Sequence, residues 1–352
     1  MVRAPNWLGD NVLALPAVSA LCRALPERRV CVLVRETMAD FWRMTPAAAV
    51  LPFRVRPGVA GLRDRWHLAA DLRNRAFATA LILPNSFDSA FAPFLAGIPE
   101  RVGWASDGRG LLLTRRIPFP RQLAGQSQSL RYQHLIATWL GGPLTIDPEC
   151  RLQIAADVVD SIRAQRTELP PQLLAMNPGA TYGTAKCWLP ERYAALALEA
   201  RRARGVGVII VGGAGDVEVC ARVAAMIAAE DPTSRHWCRN LAGTTTIGAL
   251  AAWLRETACL VTNDTGAMHV AAAVGTPLVA IFGPTDWRET APLGTRHTLL
   301  RAEHVACAPC CKRTCAIDHR CMTAISVAQV WQAVQPWLDT AAPSAAPCAT
   351  SA

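Results

Sequence analysis

The 352-residue chain is longer than one ordinary hydrophobic core supports and suits two domains of about 150 to 180 residues each. Half of it is apolar, which excludes a disordered chain, and a net charge of +9, carried mainly by arginine, calls for an anionic partner or surface. The arginines are dispersed and no basic helix is interleaved with aromatics, so nucleic acid is not the expected partner.

In chain order, "RAPNWLGDNVLALPA" puts Gly9 and Asp10 directly before a helical stretch near 11–24. The residues alone read Asp10 as a helix N-cap, with Pro16 bending the helix a turn later. No basic n-region followed by an apolar stretch and a cleavage site opens the chain, so a cytoplasmic protein is expected. Strands are predicted near 30–35 and 78–83, with a shorter one near 101–104, and helices near 62–74 and 129–140. A helical 155–166 runs into "TELPPQ", whose Pro170-Pro171 cannot continue a helix and reads as a hinge.

The second half restarts the βα alternation at "LLAMNPG" and carries it to about residue 282. The expected domains are therefore 1–168 and 169–325, followed by a closing helix over 326–338 with Ser326 as its N-cap. The small, Pro-interrupted tail 341–352 is expected to be disordered. Two α/β halves of similar size put the binding site in a cleft between them, at the carboxyl ends of the strands. The longest apolar passage, "AMHVAAAVGTPLVAIFG", is broken by His269 and by Gly275-Thr276-Pro277, so it reads as helix, turn and strand rather than as a membrane span.

Three loops of the second half carry anion chemistry. "LVTNDTGAMHVAAAVGTPLVAIFGPT" places Asp264, Thr265 and Gly266 between a strand and a helix, whose first turn offers free N–H groups and the positive dipole end to an anion, with His269 on that turn. The same residues also read as Asp264 capping the helix and His269 packing in the core. "MNPGATYGTAKCW" supplies Thr181, Thr184 and Lys186 in a loop at the same sheet edge, where one lysine could neutralise a diphosphate or simply be solvated. "VGGAGDVEVC" brings Asp216 and Glu218, able to accept from ribose hydroxyls or an adenine amine, although Asp216 reads as well as an N-cap. No GxGxxG or Walker sequence is present.

Thirteen cysteines in a long chain of this kind read as reduced; Cys22, Cys31, Cys220 and Cys259 fall in apolar runs as core residues. "CAPCCKRTCAIDHRC" gathers Cys307, Cys310, Cys311, Cys315 and Cys321 near His319. It lacks the second CxxC of a structural zinc site, so a reduced, loop-stabilising or incidental cluster is preferred and no metal is assigned.

Together "APNWLGDNVLALPA", "NPGATYGTAKCW", "TNDTGAMHVAAAVGTPLVAIFGPT" and "CAPCCKRTC…HRCM" resemble the lipopolysaccharide heptosyltransferases of glycosyltransferase family 9, over residues 1 to about 338. The resemblance implies a GT-B fold, an α/β architecture of two facing Rossmann-like domains with an interdomain cleft. It implies an ADP-L-glycero-D-manno-heptose donor in the second domain and a heptosyl-Kdo-lipid A acceptor held mainly by the first. The heptose is then transferred with inversion to the first heptose of the inner core, with no cofactor. Asp10 falls on the family's base. Lys186, the amides of Thr265 and Gly266, and His269 are placed to stabilise the leaving ADP, with Thr184, Asp216 and Glu218 also on the donor side. Asp264, beside phosphates that a carboxylate repels, is expected to bind sugar hydroxyls or fix the turn.

Arg101 and Arg109, with Arg115 and Arg116, are expected to meet the acidic acceptor, although a solvated basic surface explains them nearly as well. The lipid acceptor and the basic charge imply peripheral contact with the inner face of the cytoplasmic membrane. Two features depart from the family pattern. Only Met1-Val2-Arg3 precede the first loop, so the first strand is expected to be truncated or to begin upstream, and Cys311 stands where an aromatic residue is more usual. A family 9 transferase with another acceptor and a non-catalytic nucleotide-sugar-binding protein remain as alternative readings, with an NAD-dependent oxidoreductase a distant third.

Overall fold

The computed structural model describes residues 1–47, 49–147 and 151–339, so the tail 341–352 lies outside the described residues. The chain divides into two compact units, Met1–Gln153 and from Ile154 onward. The division falls before the expected hinge at Pro170-Pro171 because the helix Ala156–Arg166 belongs with the second unit. It packs on the helix Ile247–Arg255 and buries Val159 and Ile162, and Arg163 Nε donates to Glu256 Oε1 (3.1 Å). Gln153 N–H still donates to Met44 O (2.9 Å) inside the first unit.

The first unit holds a parallel sheet of β1 (Val2–Arg3), β2 (Cys31–Arg35), β3 (Ala49–Phe53), β4 (Thr79–Ile82), β5 (Glu100–Trp104) and β6 (Arg115–Ile117), in the order β3-β2-β1-β4-β5-β6. The second unit repeats this with β7 (Leu173–Asn177), β8 (Gly207–Ile210), β9 (Cys238–Asn240), β10 (Cys259–Asn263), β11 (Leu278–Phe282) and β12 (His297–Arg301), ordered β12-β11-β10-β7-β8-β9. Both sheets are doubly wound, with the order reversing between β1 and β4 and between β7 and β10. The carboxyl ends at those reversals are where such sheets bind ligands.

The central strands β7, β10 and β11 are buried along their whole length, as expected of apolar runs covered by helices on both faces. Trp188, Tyr193, Trp237 and Cys220 fill the core on one side of this sheet. The last helix, Val327–Asp339, belongs to the same core through Val330, Val334 and Leu338. Ser326 starts it with a reciprocal capping box, in which Gln329 N–H donates to Ser326 Oγ (3.2 Å) and Ser326 N–H donates to Gln329 Oε1 (2.8 Å).

Short as it is, β1 lies in the middle of its sheet. Leu81 N–H donates to Met1 O (2.9 Å), Leu83 N–H to Arg3 O (3.1 Å) and Ala4 N–H to Leu33 O (3.0 Å), so its pairing runs from Met1 to Ala4. The helix after it, Leu8–Ala24, passes through Pro16 and has Trp7 as its N-cap; Asp10 is therefore not the cap but a residue of the first turn. The loop between strand and helix is held by Asn11, which is fully buried. Its Nδ2 donates to Pro5 O (3.0 Å) and Trp7 O (2.7 Å), and its Oδ1 accepts from Trp42 Nε1 (2.7 Å). Arg3, also buried, donates to Asn6 Oδ1 (2.6 Å) in the same loop, and burial, then the neighbouring Arg35 charge, pulls its pKa down to about 9.

Replacing Asn11 by alanine leaves the Trp42 indole N–H and the Pro5 carbonyl without these partners, while the Trp7 carbonyl keeps the backbone N–H of residue 11. Asn11→Ala should lower the unfolding free energy in urea by about 2–3 kcal/mol.

Candidate functional site: the carboxyl edge of the second sheet

Asn263, the last residue of β10, is fully buried, and its carboxamide joins the two loops that leave the centre of the sheet. Its Nδ2 donates to Pro178 O (2.9 Å) and Gly179 O (3.1 Å) of the loop after β7. Its Oδ1 accepts from Trp188 N–H (3.0 Å) at the far end of that loop and lies 3.1 Å from the Tyr193 hydroxyl. The loop between residues 178 and 188 is thus pinned at both ends beside the start of the helix Gly266–Val274.

Within that frame Lys186, on a short 3-10 turn Thr184–Lys186, reaches across to Asp264, with Nζ 2.8 Å from Oδ2 and 3.4 Å from the Asp264 carbonyl oxygen. The pair is nearly dry, its side chains only 13% and 5% exposed. Thr184 itself faces solvent on the same turn. Thr265 occupies the N-cap position with extended backbone but makes no side-chain cap; its Oγ1 instead accepts from Asn177 Nδ2 (3.4 Å) and lies 3.2 Å from Thr262 Oγ1. The first amides of this helix therefore have no side-chain cap, and they lie at the positive end of the dipole, where an anion is favoured. His269, one turn in, is buried and its Nδ1 has no partner among the described residues; the same holds for Asn177 Oδ1 at the end of β7. Burial, only partly offset by the Asp264 charge, lowers the His269 pKa to about 4, so the ring is a neutral imidazole at neutral pH.

Asp216 joins the same edge from β8. A Cβ at Gly179 would lie 2.1 Å from Asp216 Oδ1, so only glycine lets that carboxylate approach the loop after β7. Its Oδ2 accepts from Gly213 N–H (2.9 Å), closing its own 3-10 turn, and its side chain does not cap the helix Val217–Glu230 that follows. Burial first, and the Asp216 charge second, push the thiols of Cys187 and Cys220 up to about 11 and about 12. Glu218 is exposed on the first turn of that helix.

In the first unit Asp10 sits half-buried on the first turn of Leu8–Ala24, a favourable place for a carboxylate at the positive helix end. After burial, its charge contributes to raising the Tyr132 phenol well above its ordinary value. The expected acceptor arginines need correction. Arg109 is fully buried: its Nε donates to Trp104 O (2.8 Å), and its Nη1 to Ser89 Oγ (3.1 Å) and to Pro84 O. Burial lowers its pKa to about 10. A guanidinium enclosed in this way ties the loops after β4 and β5 together and offers no face to an acceptor in solution. Arg101 is half-buried, donates to Leu112 O (2.7 Å) and Ile98 O, and lies over the Phe94 ring. Arg115 donates to the last carbonyls of the helix Gln128–Leu140, leaving Arg116 as an exposed cation of that group.

The cysteine-rich segment folds against the same carboxyl edge of the second sheet. Cys321 is buried beneath Gly283, where a Cβ would lie 3.0 Å from its Sγ, whereas Cys307, Cys310 and Cys311 are exposed. Cys315 Sγ accepts from His319 N–H (3.3 Å). Among the described residues no three His, Cys, Asp or Glu side chains converge as a metal-holding group. Sequence reasoning missed Asn263, Asn11 and Tyr193. The signal available for Asn263 was a polar residue ending an otherwise apolar strand; nothing local marked the other two.

Two doubly wound units of this kind, the second carrying a lysine–carboxylate pair beside an uncapped helix N-terminus, match the GT-B fold. The fold of a solved Escherichia coli ADP-heptose lipopolysaccharide heptosyltransferase II agrees, with a TM-score of 0.80 and 28% identity over 96% of this chain and 97% of that one. A family 9 glycosyltransferase from Veillonella parvula shares the fold at the same TM-score, with 19% identity and 96% of each chain covered. The chain belongs to glycosyltransferase family 9, the heptosyltransferases, whose family profile matches residues 65–320. It is 31% identical over 318 residues to lipopolysaccharide heptosyltransferase 2 of Escherichia coli K12, covering 86% of this chain and 87% of that protein.

The neutral, buried His269 makes a pH prediction. Its folded pKa lies below the unfolded value near 6.5, so the unfolded chain binds the extra proton, and the stability that this histidine contributes is lost as pH falls from about 6.5 to about 4. Denaturant unfolding should show His269→Asn losing about 3 kcal/mol less than the wild type between pH 7 and pH 4. Parallel curves for the two proteins would refute it.

Proposed function

We propose that this transferase moves L-glycero-D-manno-heptose from ADP-heptose to the first heptose of the Kdo-lipid A inner core, with inversion, in lipopolysaccharide core biosynthesis. The observation that carries the donor half of this reading is the Lys186–Asp264 pair set beside the uncapped start of Gly266–Val274. The acceptor half is supported by the heptosyltransferase 2 relatives, which match along most of their length.

The step needs three things of the chain. The acceptor hydroxyl attacks the anomeric carbon, and Asp10 takes its proton as the new C–O bond forms. The bond from the anomeric carbon to the diphosphate breaks, and its electron pair leaves with ADP. Lys186, the amides of Thr265 and Gly266 and the neutral His269 ring stabilise the charge that develops there. Asp264 holds Lys186 and accepts from sugar hydroxyls, while Asp216 and Glu218 serve the nucleoside end.

Acceptor recognition falls to exposed cations of the first unit such as Arg116. Arg109 is not among them. We place the enzyme at the cytoplasmic face of the inner membrane, drawn by a net charge of +9 to anionic lipid. No helix among the described residues is long and apolar enough to cross a membrane.

Purified protein given ADP-heptose and heptosyl-Kdo-lipid A should release ADP and extend the acceptor, whereas Kdo-lipid A lacking the first heptose should not be extended. No extension of either acceptor would overturn the reading. Asparagine keeps the shape of Asp10 but cannot take a proton, so Asp10→Asn should bind ADP as the wild type does while kcat falls by about 10²–10⁴-fold.

A further inference from the structure

The cysteine-rich segment has a position that its sequence does not explain: it grips the loop carrying Lys186. Ala185 is held at both of its backbone groups, its N–H donating to Arg313 O (3.0 Å) and its carbonyl oxygen lying 2.8 Å from His319 Nε2. The Tyr182 hydroxyl donates to Cys311 O (3.1 Å), and Cys311 N–H donates to Pro284 O (2.7 Å), so one segment ties the loop after β7 to the turn after β11. The approach is close enough that a Cβ on Gly183 would lie 2.3 Å from Arg313 O.

This packing delivers a second cation. The Arg313 guanidinium carbon lies 5.1 Å from the centroid of the Tyr182 ring, and the Lys186 ammonium lies 5.1 Å from the same centroid. The two differ in what neutralises them. Lys186 is shared with Asp264, whereas Arg313 is exposed and makes no ion pair among the described residues.

We propose that Arg313 is a second cation for the donor diphosphate, presented on the Tyr182 ring that Lys186 also approaches, and that residues 311–319 are the clasp that positions it. The inference rests on the donor-site reading given above. A departing diphosphate carries more charge than one lysine already paired with a carboxylate can offset, and a forked guanidinium matches paired phosphate oxygens better than a second ammonium would. Stacking on an aromatic face restricts the guanidinium before the ligand arrives.

The test uses the full chain, with calorimetry for ADP and ligand-observed NMR for adenosine, which lacks phosphates. Arg313→Ala should weaken ADP about tenfold and leave adenosine unchanged, with Arg313→Lys recovering part of the loss. Unchanged ADP affinity in Arg313→Ala would overturn the inference, and so would an equal loss of ADP and adenosine, which marks a merely structural role. Lys186→Ala separates the two levels of the argument. If it weakens ADP while Arg313→Ala does not, only the role of Arg313 fails; if neither weakens ADP, the donor-site reading fails with it.

Discussion

The buried carboxamide of Asn263 sets the path of the loop after β7, because its nitrogen and its oxygen are satisfied at the two ends of that loop. Two backbone carbonyls after β7 accept from its nitrogen, and the amide of Trp188 donates to its oxygen. A buried amide left half-satisfied costs about 1–3 kcal/mol, so the loop from Pro178 to Trp188 has one favourable path. Lys186 lies on that path. Its position over the Gly266–Val274 helix is therefore a consequence of the core, and no flexible surface lysine has to be fixed afresh when a ligand binds.

The Lys186–Asp264 pair follows from the same frame. Desolvating both charges offsets much of their attraction, so the pair is weak evidence for stability. Its value lies in placement: a lysine already dried and aimed has less entropy to lose when a diphosphate arrives. Asp264 also leaves the helix amides uncovered. Its carboxylate turns to Lys186, and Thr265 at the N-cap directs its hydroxyl to Asn177 and Thr262. The two groups best able to cap this helix internally are both engaged elsewhere, which keeps its dipole available to an anion.

Much of the architecture was legible because buried parallel strands are continuous apolar runs, and "CVLVR", "TALI", "CLVTN" and "LVAIF" stand out as such. The outer strands did not stand out. β3 contains Pro52, β6 is "RRI", β9 is "CRN" and β12 begins and ends with exposed residues. At sheet edges the hydrophobic pattern that betrays a strand is diluted. The loops after β7, β8 and β10 were legible for a different reason: a strand followed by a Gly/Thr turn and a helix is a local pattern, and Lys186, Asp264 and Asp216 all lie on such turns. Asn263 was marked only as a polar residue ending an apolar strand, and its partners 84 and 85 residues away, which make it a hub, left no local sign. Arg109 misled for the complementary reason. A formal charge says nothing of burial, and the carbonyls that enclose it come from Pro84 and Trp104, on two different strand ends.

The cysteine-rich segment makes its contacts with the rest of the second unit through groups other than its exposed thiols. Its thiols draw attention because cysteine spacing is a familiar sign of metal or disulfide, yet the contacts that tie it to the donor loop are made by other groups. The carbonyls of Cys311 and Arg313 and the ring of His319 hold Tyr182 and Ala185, while the buried Cys321 fills space under Gly283. A segment without regular structure keeps its shape only if its backbone groups find partners, and here the partners are those of the Lys186 loop. Each loop thereby supplies what the other lacks, so the shape of this sheet edge depends on a stretch more than a hundred residues downstream as much as on the strand from which Lys186 emerges.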